Sequence, residues 1–476
     1  LAGGNTVILK PATVAAPVAW LFAQAFWDAG VPKEALQVII TDRDALKVLT
    51  SAPAIKHIIL TGGTDTAQNI ARSNPSTPLS AETGGKNAII MTASGDRDHA
   101  IMNVVASAFG NVGQKCSACS LLLVERSVYE DKNFREKLKD AATSMKVGSV
   151  WNPGNVVGPM ITNGNDKLLK ALELEQGESW LVPPQFLDKN KYVLAPTVKW
   201  GGRPGSYSFR TELFGPMLSV VCIENLQQGI ELVNSLDYGL TSGLQSLDEE
   251  EQRLWKNSIM AGNLYINRGI TGAIVNRQPF GGMKLSAFGG GVKAGGPNYC
   301  ACFVKISDKP GSTTDYKQSY PKAYEQEFAH ARDINNLYGE QNVFRYLPLR
   351  NMVLRLFPGD TNEDAQMIAF AAKICHTPLT ISFEPGDDRT TALASLGCSL
   401  KKESLQEFLK SMSEYERIRT CGVDIPMEMY EEAARTDKYI APVKNGRVEL
   451  IHYIKEQSIS FEYHRYGSIL EIPPVE

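Results

Sequence analysis

Short apolar runs alternate with longer stretches in which apolar residues recur every three or four positions, and this rhythm starts close to the first residue. Thr6–Leu9, Leu36–Ile40 and Ile55–Leu60 read as buried strands, whereas Val14–Ala29 and Asp42–Ser51 carry the helical period, the first broken by Gly30-Val31-Pro32. Strand alternating with helix predicts a parallel sheet with crossover helices. A second α/β block runs from about Gly85 to Leu285. It has strands expected at Ala88–Met91, Leu121–Val124 and Leu218–Val221, and helices at His99–Gly110 and Asn133–Met145. A glycine-dense stretch, Phe280–Gly296, closes it, and the polar segment Asp308–Gln318 reads as a linker. From about Ala323 the alternation resumes. It predicts strand Met352–Leu356, helix Glu363–His376, strand Leu379–Phe383, helices Leu400–Tyr415 and Met427–Thr436, and strand Tyr439–Val443. No short internal repeat is present.

Composition narrows the class. A chain of 476 residues is long for one domain. A hydrophobic fraction of 43% and a net charge of -3 give no sign of a polyanion partner, so no nucleic acid is expected. No run approaches the roughly 18 apolar residues of a membrane span, and the first residues lack a basic region followed by an apolar segment and a small-residue cleavage site. A cytoplasmic protein with no membrane span is the expectation. Eight cysteines are too sparse for a disulfide framework. The Cys116/Cys119 pair lacks a second CxxC or a His pair, so no metal site is expected. The chain opens Leu-Ala-Gly-Gly-Asn, without Met, and enters a strand at once, which reads as a chain cut within a domain.

Two segments carry reactive groups. Gly113-Gln114-Lys115-Cys116-Ser117-Ala118 sets a cysteine among small residues just past a predicted helix, where a loop can expose the sulfur. Ala81-Glu82-Thr83-Gly84-Gly85-Lys86-Asn87 sets a carboxylate before two glycines, where backbone can approach a ligand closely. Taken singly, Cys116 also reads as a packing cysteine and Glu82 as a solvated turn residue. Taken together, a thiol nucleophile and a carboxylate able to deprotonate water are the parts needed to make and hydrolyse a thioester.

These two segments fall in order with Asn5-Thr6-Val7-Ile8-Leu9-Lys10-Pro11-Ala12, Leu60-Thr61-Gly62-Gly63-Thr64, Thr211-Glu212-Leu213-Phe214-Gly215-Pro216 and Pro279-Phe280-Gly281-Gly282-Met283-Lys284. In that order and at those separations the chain resembles the aldehyde dehydrogenase superfamily from about Leu1 to Phe303. The resemblance implies an α/β aldehyde dehydrogenase fold. Residues 1–84 would be the remaining part of a Rossmann-like NAD-binding domain, 85–290 the catalytic thiolate domain, 291–322 a return segment and linker, and 323–476 an additional, non-catalytic C-terminal α/β domain. It makes Cys116 the nucleophile and Glu82 the base for the deacylating water. It places Lys10 on the adenosine ribose, Gly62 and Gly63 beside the cofactor phosphates, Glu212 on the nicotinamide ribose, and Phe214 packed near by.

The segment Asn267–Phe280 resembles the glutamate semialdehyde branch, 1-pyrroline-5-carboxylate dehydrogenase, including the version fused to proline dehydrogenase in bacterial proline utilisation proteins. There the residues matching Ser117, Gly272 and Ala273 hold the substrate α-carboxylate and Phe280 lines the pocket; the plain alternative is a flexible turn with a core phenylalanine. The implied reaction is NAD-dependent oxidation of L-glutamate γ-semialdehyde to L-glutamate, the second step of proline catabolism. Its rivals are an aldehyde dehydrogenase for another small aldehyde and a catalytically silent scaffold. Thr13 stands where many relatives carry a glutamate that binds the ribose 2′-hydroxyl, which leaves NADP open beside NAD. FAD is implied only with a fused or partner proline dehydrogenase, and a homo-oligomer is expected. The family's oxyanion-stabilising Asn belongs to a motif upstream of the matched region, so the chain by itself is expected to be impaired. Phe344–Leu349 and Tyr463–Gly467 resemble the C-terminal extension of some proline-catabolic enzymes. They imply a unit that covers the dehydrogenase domain or helps it oligomerise, with His464 in an interface or packing role.

Overall fold

The computed structural model describes every residue except 76, 388, 423–424, 433–441, 470–474 and 476. The first apolar runs form strands, but not the buried ones expected: Ile8 is 38% and Ile59 58% exposed, because these strands sit in small sheets. β1 (Val7–Leu9) pairs in parallel with β2 (Leu36–Val38), with helix α1 (Ala16–Asp28) as the crossover. Helix α2 (Arg43–Thr50) starts where the Asp42 carboxylate accepts the Asp44 and Ala45 N–H groups. β3 (Ile58–Thr61), helix α3 (Thr64–Ser73) and β4 (Leu79–Glu82) follow, and β4 lies between β3 and the returning antiparallel strand Ala287–Phe288. The two small sheets are separate. Much of the apolar face of α1 stays open, with Val18 71% and Leu21 65% exposed.

The central sheet takes its order from runs buried on both sides. β5 (Asn87–Met91) is buried at every position, as a strand covered on two faces by helices must be. It pairs in parallel with β6 (Cys119–Glu125), which continues in parallel to β9 (Met217–Ile223) and β8 (Thr197–Gly202). β7 (Ser179–Val182) closes that edge antiparallel. On the other side come β10 (Thr241–Gln245) and β11 (Asn263–Ile266), both parallel. Helix α4 (Arg97–Phe109) packs on the sheet through Ala100, Val104, Ala108 and Phe109.

The expected boundary near Ala323 does not interrupt the sheet. Strand Ile454–Glu462 pairs in parallel with β11, and strand Glu340–Pro348 pairs antiparallel with it along nine residues, so the central sheet reaches ten strands. What stands apart is a four-stranded parallel sheet in the order Ser399–Lys402, Leu379–Phe383, Met352–Arg355, Arg417–Arg419. The crevice at the carboxyl ends of such strands is the usual ligand position. Here the chain's own cations fill it: buried Arg355 donates to Ser382 Oγ (2.9 Å) and the Glu403 carbonyl (2.9 Å), and Arg389 donates to the Asp360 carbonyl (2.8 Å).

Two expected segments need correction, and two more fall partly outside the described residues. The helix expected at Leu400–Tyr415 is a strand, Ser399–Lys402, followed by helix Leu405–Ser411. Leu400 pairs across the sheet with Ile381, and Ser404 with Glu407 forms a capping box that sets the later start. The linker Asp308–Gln318 runs into helix Tyr316–Ala323, which Asp315 caps. Residues 439–441 of the strand expected at Tyr439–Val443, and the end of the helix expected at Met427–Thr436, lie outside the described residues; that helix is described over Met427–Glu432.

At the β7–β8 edge a full charge pair is buried. Lys199 and Glu178 are 1% and 0% exposed at the side chain and 2.8 Å apart, and Lys199 also donates to the Glu173 carbonyl. Replacing Glu178 by Ala strands a buried ammonium and should cost about 3–5 kcal/mol. The double change Lys199→Met with Glu178→Leu should recover part of it. Chemical denaturation checks both, and an unchanged midpoint in Glu178→Ala would refute the pairing's importance.

Candidate active site

Cys116 is delivered by a strained turn. Helix α4 stops at Gly110, and the next three residues, Asn111, Val112 and Gly113, all have positive φ (54°, 53° and 66°). For the β-branched Val112 this is an uncommon conformation that surrounding structure must enforce. Gly113 explains part of it: a Cβ there would run into the Gly215 carbonyl, so only glycine lets the cysteine loop lie against the Thr211–Pro216 segment.

One buried side chain then holds the loop. Asn87, the first residue of β5, donates from Nδ2 to the carbonyls of Cys116 (2.7 Å) and Ala118 (3.0 Å), while its Oδ1 accepts the Thr241 N–H (3.0 Å). Both amide hydrogens are used, so the carboxamide fixes the backbone on either side of Ser117. Sequence reasoning quoted Asn87 but gave it no role. Its signal was a carboxamide at the mouth of the apolar run Ala88–Met91, where an unpartnered polar group is costly.

Glu82 ends β4, and its carbonyl accepts the Gly62 N–H (3.1 Å). Thr83 N–H donates to the Ser286 carbonyl (3.0 Å), which fixes the turn that follows. At that turn a Cβ on Gly84 would overlap the Glu212 carboxylate, and one on Gly85 would crowd the Cys116 carbonyl. Gly85 N–H donates to Glu212 Oε1 at 2.9 Å. The missing side chains thus let Glu82, Cys116 and Glu212 converge.

Burial dominates the electrostatics. It pushes the Glu82 carboxyl up, opposed by Lys293, and pushes Glu212 up, opposed first by the Gly85 N–H. The Cys116 thiol is raised by burial and then by the charges of Glu82 and Glu212; N–H groups of Ser117 and Cys116 pull it back. Lys86, fully buried beside these groups, is pushed down to about 7 by burial.

The remaining sequence-predicted positions fall at differing places. Ser117 is buried next to the thiol, its carbonyl accepting from Thr241 Oγ1 (3.4 Å). Gly62 and Gly63 form the β3–α3 turn. Gly63 is the N-cap of α3, makes no side-chain cap, and has open space where a Cβ would be. Half-buried Lys10 follows β1 on the separate two-stranded sheet. Phe214, expected to pack, is 41% exposed with φ 52°, and its carbonyl accepts from Gln114 Nε2 (3.4 Å). Gly272 is exposed at φ 86°, with Ala273 half-buried after it. Their segment is tied to α4, because buried Ile270 donates its N–H to Ser107 Oγ (3.0 Å). Phe280 is half-buried and exchanges both backbone bonds with Ala294 (2.9 Å each). A residue not foreseen is Tyr265 on β11, whose hydroxyl is pushed up to about 12 by burial, with the nearby Cys116 charge adding a smaller push against Arg268 and Asn263.

Comparison with known proteins places this arrangement. The sequence pattern of the Aldehyde dehydrogenase family matches residues 1–308. A 1-pyrroline-5-carboxylate dehydrogenase of Geobacillus thermodenitrificans is 34% identical over 310 residues, covering 63% of this chain and 59% of its own length. The chain therefore spans about three-fifths of that curated relative. Among solved structures, Proline Utilization A from Corynebacterium freiburgense superposes on 98% of the chain and 48% of its own, with TM-score 0.84 and 36% identity. A Thermus 1-pyrroline-5-carboxylate dehydrogenase with bound NAD covers 63% of this chain and 60% of its own, at TM-score 0.59 and 34% identity. With a matched region that contains the Cys116 loop, the Glu82 turn and the Glu212 segment, the chain belongs to the aldehyde dehydrogenase family.

Proposed function

We propose that this chain carries the thiolate site of an NAD-dependent dehydrogenase that oxidises L-glutamate γ-semialdehyde to L-glutamate. The observation that carries the reading is the convergence of Cys116, Glu82 and Glu212 across Gly84 and Gly85. The identity with 1-pyrroline-5-carboxylate dehydrogenases supports the substrate. The likeness to a proline utilisation protein along the C-terminal unit as well supports an FAD-dependent proline dehydrogenase, fused or separate, as the source of the aldehyde.

The residues present fit the cofactor. The uncapped N-terminus of α3 at Gly63 has free space before its first N–H groups, which suits a diphosphate. The Glu212 carboxylate suits a ribose diol, and Lys10 would reach the adenosine side. When bound, the nicotinamide supplies the hydride acceptor.

In this reading Cys116 Sγ attacks the aldehyde carbon as a thiolate, forming a C–S bond and an oxyanion that takes up a proton. Loss of hydride from that thiohemiacetal carbon, with loss of the hydroxyl proton, leaves a thioester on Cys116. Glu82 accepts a proton from water as the water oxygen attacks the thioester carbon. The C–S bond then breaks, and glutamate leaves with the thiolate restored. Backbone N–H groups of Gly272 and Ala273, with Ser117, hold the α-carboxylate, and Phe280 bounds the aliphatic part.

Cys116→Ala in the whole protein should abolish NADH formation with glutamate semialdehyde; turnover near the parent level sinks the assignment. Glu82→Gln should leave a full-sized NADH burst followed by turnover slowed about 10²–10⁴-fold, the usual worth of a general base. The same change removes a negative charge that raises the Cys116 thiol. Alkylation of Cys116 by iodoacetamide at fixed pH near neutrality should then be faster in Glu82→Gln than in the parent, and a slower rate refutes that coupling.

A further inference from the structure

Lys293 is fully buried, lies in the glycine-dense stretch and plays no part in the mechanism above. Its ammonium donates to Asn263 Oδ1 (2.8 Å) and to the Gly281 carbonyl. Asn263 in turn donates to the Pro279 carbonyl and accepts the Gly281 N–H. The ammonium therefore clamps the Pro279–Gly281 segment to β11. Gly281 and Val292, the neighbour of Lys293, line a cavity of about 40 Å³ together with Glu82, Tyr299 and Cys302. That volume is large enough for a water molecule and too small for the substrate.

The other face of Lys293 meets the C-terminal unit. Its main-chain N–H donates to Glu456 Oε2 (2.7 Å) on strand Ile454–Glu462. Glu456 Oε1 accepts from Asn298 Nδ2 (2.6 Å), and Asn298 Oδ1 accepts from Arg447 (2.7 Å). We propose that Lys293 is a positioning residue for Glu82, and that the C-terminal unit, through Glu456, holds it as the cation that faces the base.

The inference rests on the reading of Glu82 as the base. Burial drives Lys293 and Glu456 both toward their neutral forms, Lys293 down to about 7, and the attraction of Glu456 and Glu82 opposes that for Lys293. Lys293 in turn opposes the upward push on Glu82. The other ionisable groups at the cluster are Tyr299 and Cys302 beside Glu82, Cys116 across the turn, and Arg447 and Tyr346 behind Glu456. Lys86 and Glu212 lie on the Cys116 side of the turn, Arg447 stands behind Asn298 and Glu456, and the cation that opposes the push on Glu82 is Lys293.

The sign follows. Glu82 acts as carboxylate, so thioester hydrolysis falls as pH drops through its pKa; removing the Lys293 cation raises that pKa and moves the acid limb to higher pH. In the whole protein, single-turnover hydrolysis should show this limb shifted up by about one pH unit or more in Lys293→Met, tenfold per unit in the ionised fraction well below the limb. Lys293→Arg should restore the parent position. Glu456→Gln should shift the limb in the same direction by less, and add nothing in a Lys293→Met background. Infrared titration of the Glu82 carboxyl, identified as the band lost in Glu82→Gln, should move with the limb. Thermal unfolding and circular dichroism confirm that each variant is folded. A limb that survives in Glu82→Gln overturns the base assignment and this inference with it. A limb that vanishes in Glu82→Gln yet stays put in folded Lys293→Met, or in folded Glu456→Gln if Lys293→Met does not fold, overturns the inference alone. So does a Glu456→Gln shift that persists without Lys293.

Discussion

Three stretches of main chain can meet only where side chains are absent, and here that constraint is concentrated in two turns. Gly84 stands against the Glu212 carboxylate, Gly85 against the Cys116 carbonyl, and Gly113 against the Gly215 carbonyl. Remove any one of these glycines and a Cβ lands on an atom that cannot yield without moving the thiol or a carboxylate. The rest of the site is arranged around that approach: Asn87 spends its whole carboxamide on fixing the cysteine loop, and β4, held between two strands, fixes Glu82. The close approach also sets the electrostatics. Two carboxylates and a thiol share a buried space: burial pushes all three up, and the charges of Glu82 and Glu212 push the thiol further.

Much of this was legible from residue order. The alternation of apolar runs and helical stretches located most strands and helices of the first 125 residues to within a few positions, because apolar runs stand out against the helical period, but it gave no sign of helix Thr64–Ser73 or of strand Leu79–Glu82, whose short polar-interrupted runs carry little apolar signal. The Cys116 and Glu82 segments were legible because glycine beside a reactive residue marks close backbone approach. Less legible were residues whose part depends on distant chain: Asn87, whose partners lie at 116, 118 and 241, and Lys293, whose partners lie at 263, 281 and 456. Local pattern can mark such a residue as costly to leave unpaired, as at Asn87, but it does not name the partners. The strand at Ser399–Lys402 was hidden for another reason: two lysines in four residues dilute its apolar period, and its neighbour Ile381 supplies the pairing that decides it.

The C-terminal segment is divided between two tasks. Its four-stranded parallel sheet has the geometry that elsewhere opens a ligand crevice, and the guanidinium groups of Arg355 and Arg389 fill that crevice. Strands Glu340–Pro348 and Ile454–Glu462, by contrast, belong to the sheet that carries the thiol, and Arg268 binds Ser460 and Glu340 across the junction. Glu456 lies on the strand that makes this junction.

The pairing of strand Ile454–Glu462 with β11 bears on how the protein could be divided. Severing the chain ahead of residue 316 would not release a self-contained catalytic half. It would turn β11 from an interior strand into a sheet margin with a row of unsatisfied backbone donors and acceptors, a template for another molecule's strand. The two parts of this polypeptide are thus joined in the manner of one folding unit. A fragment lacking the last strands would be expected to associate with itself before it could be assayed.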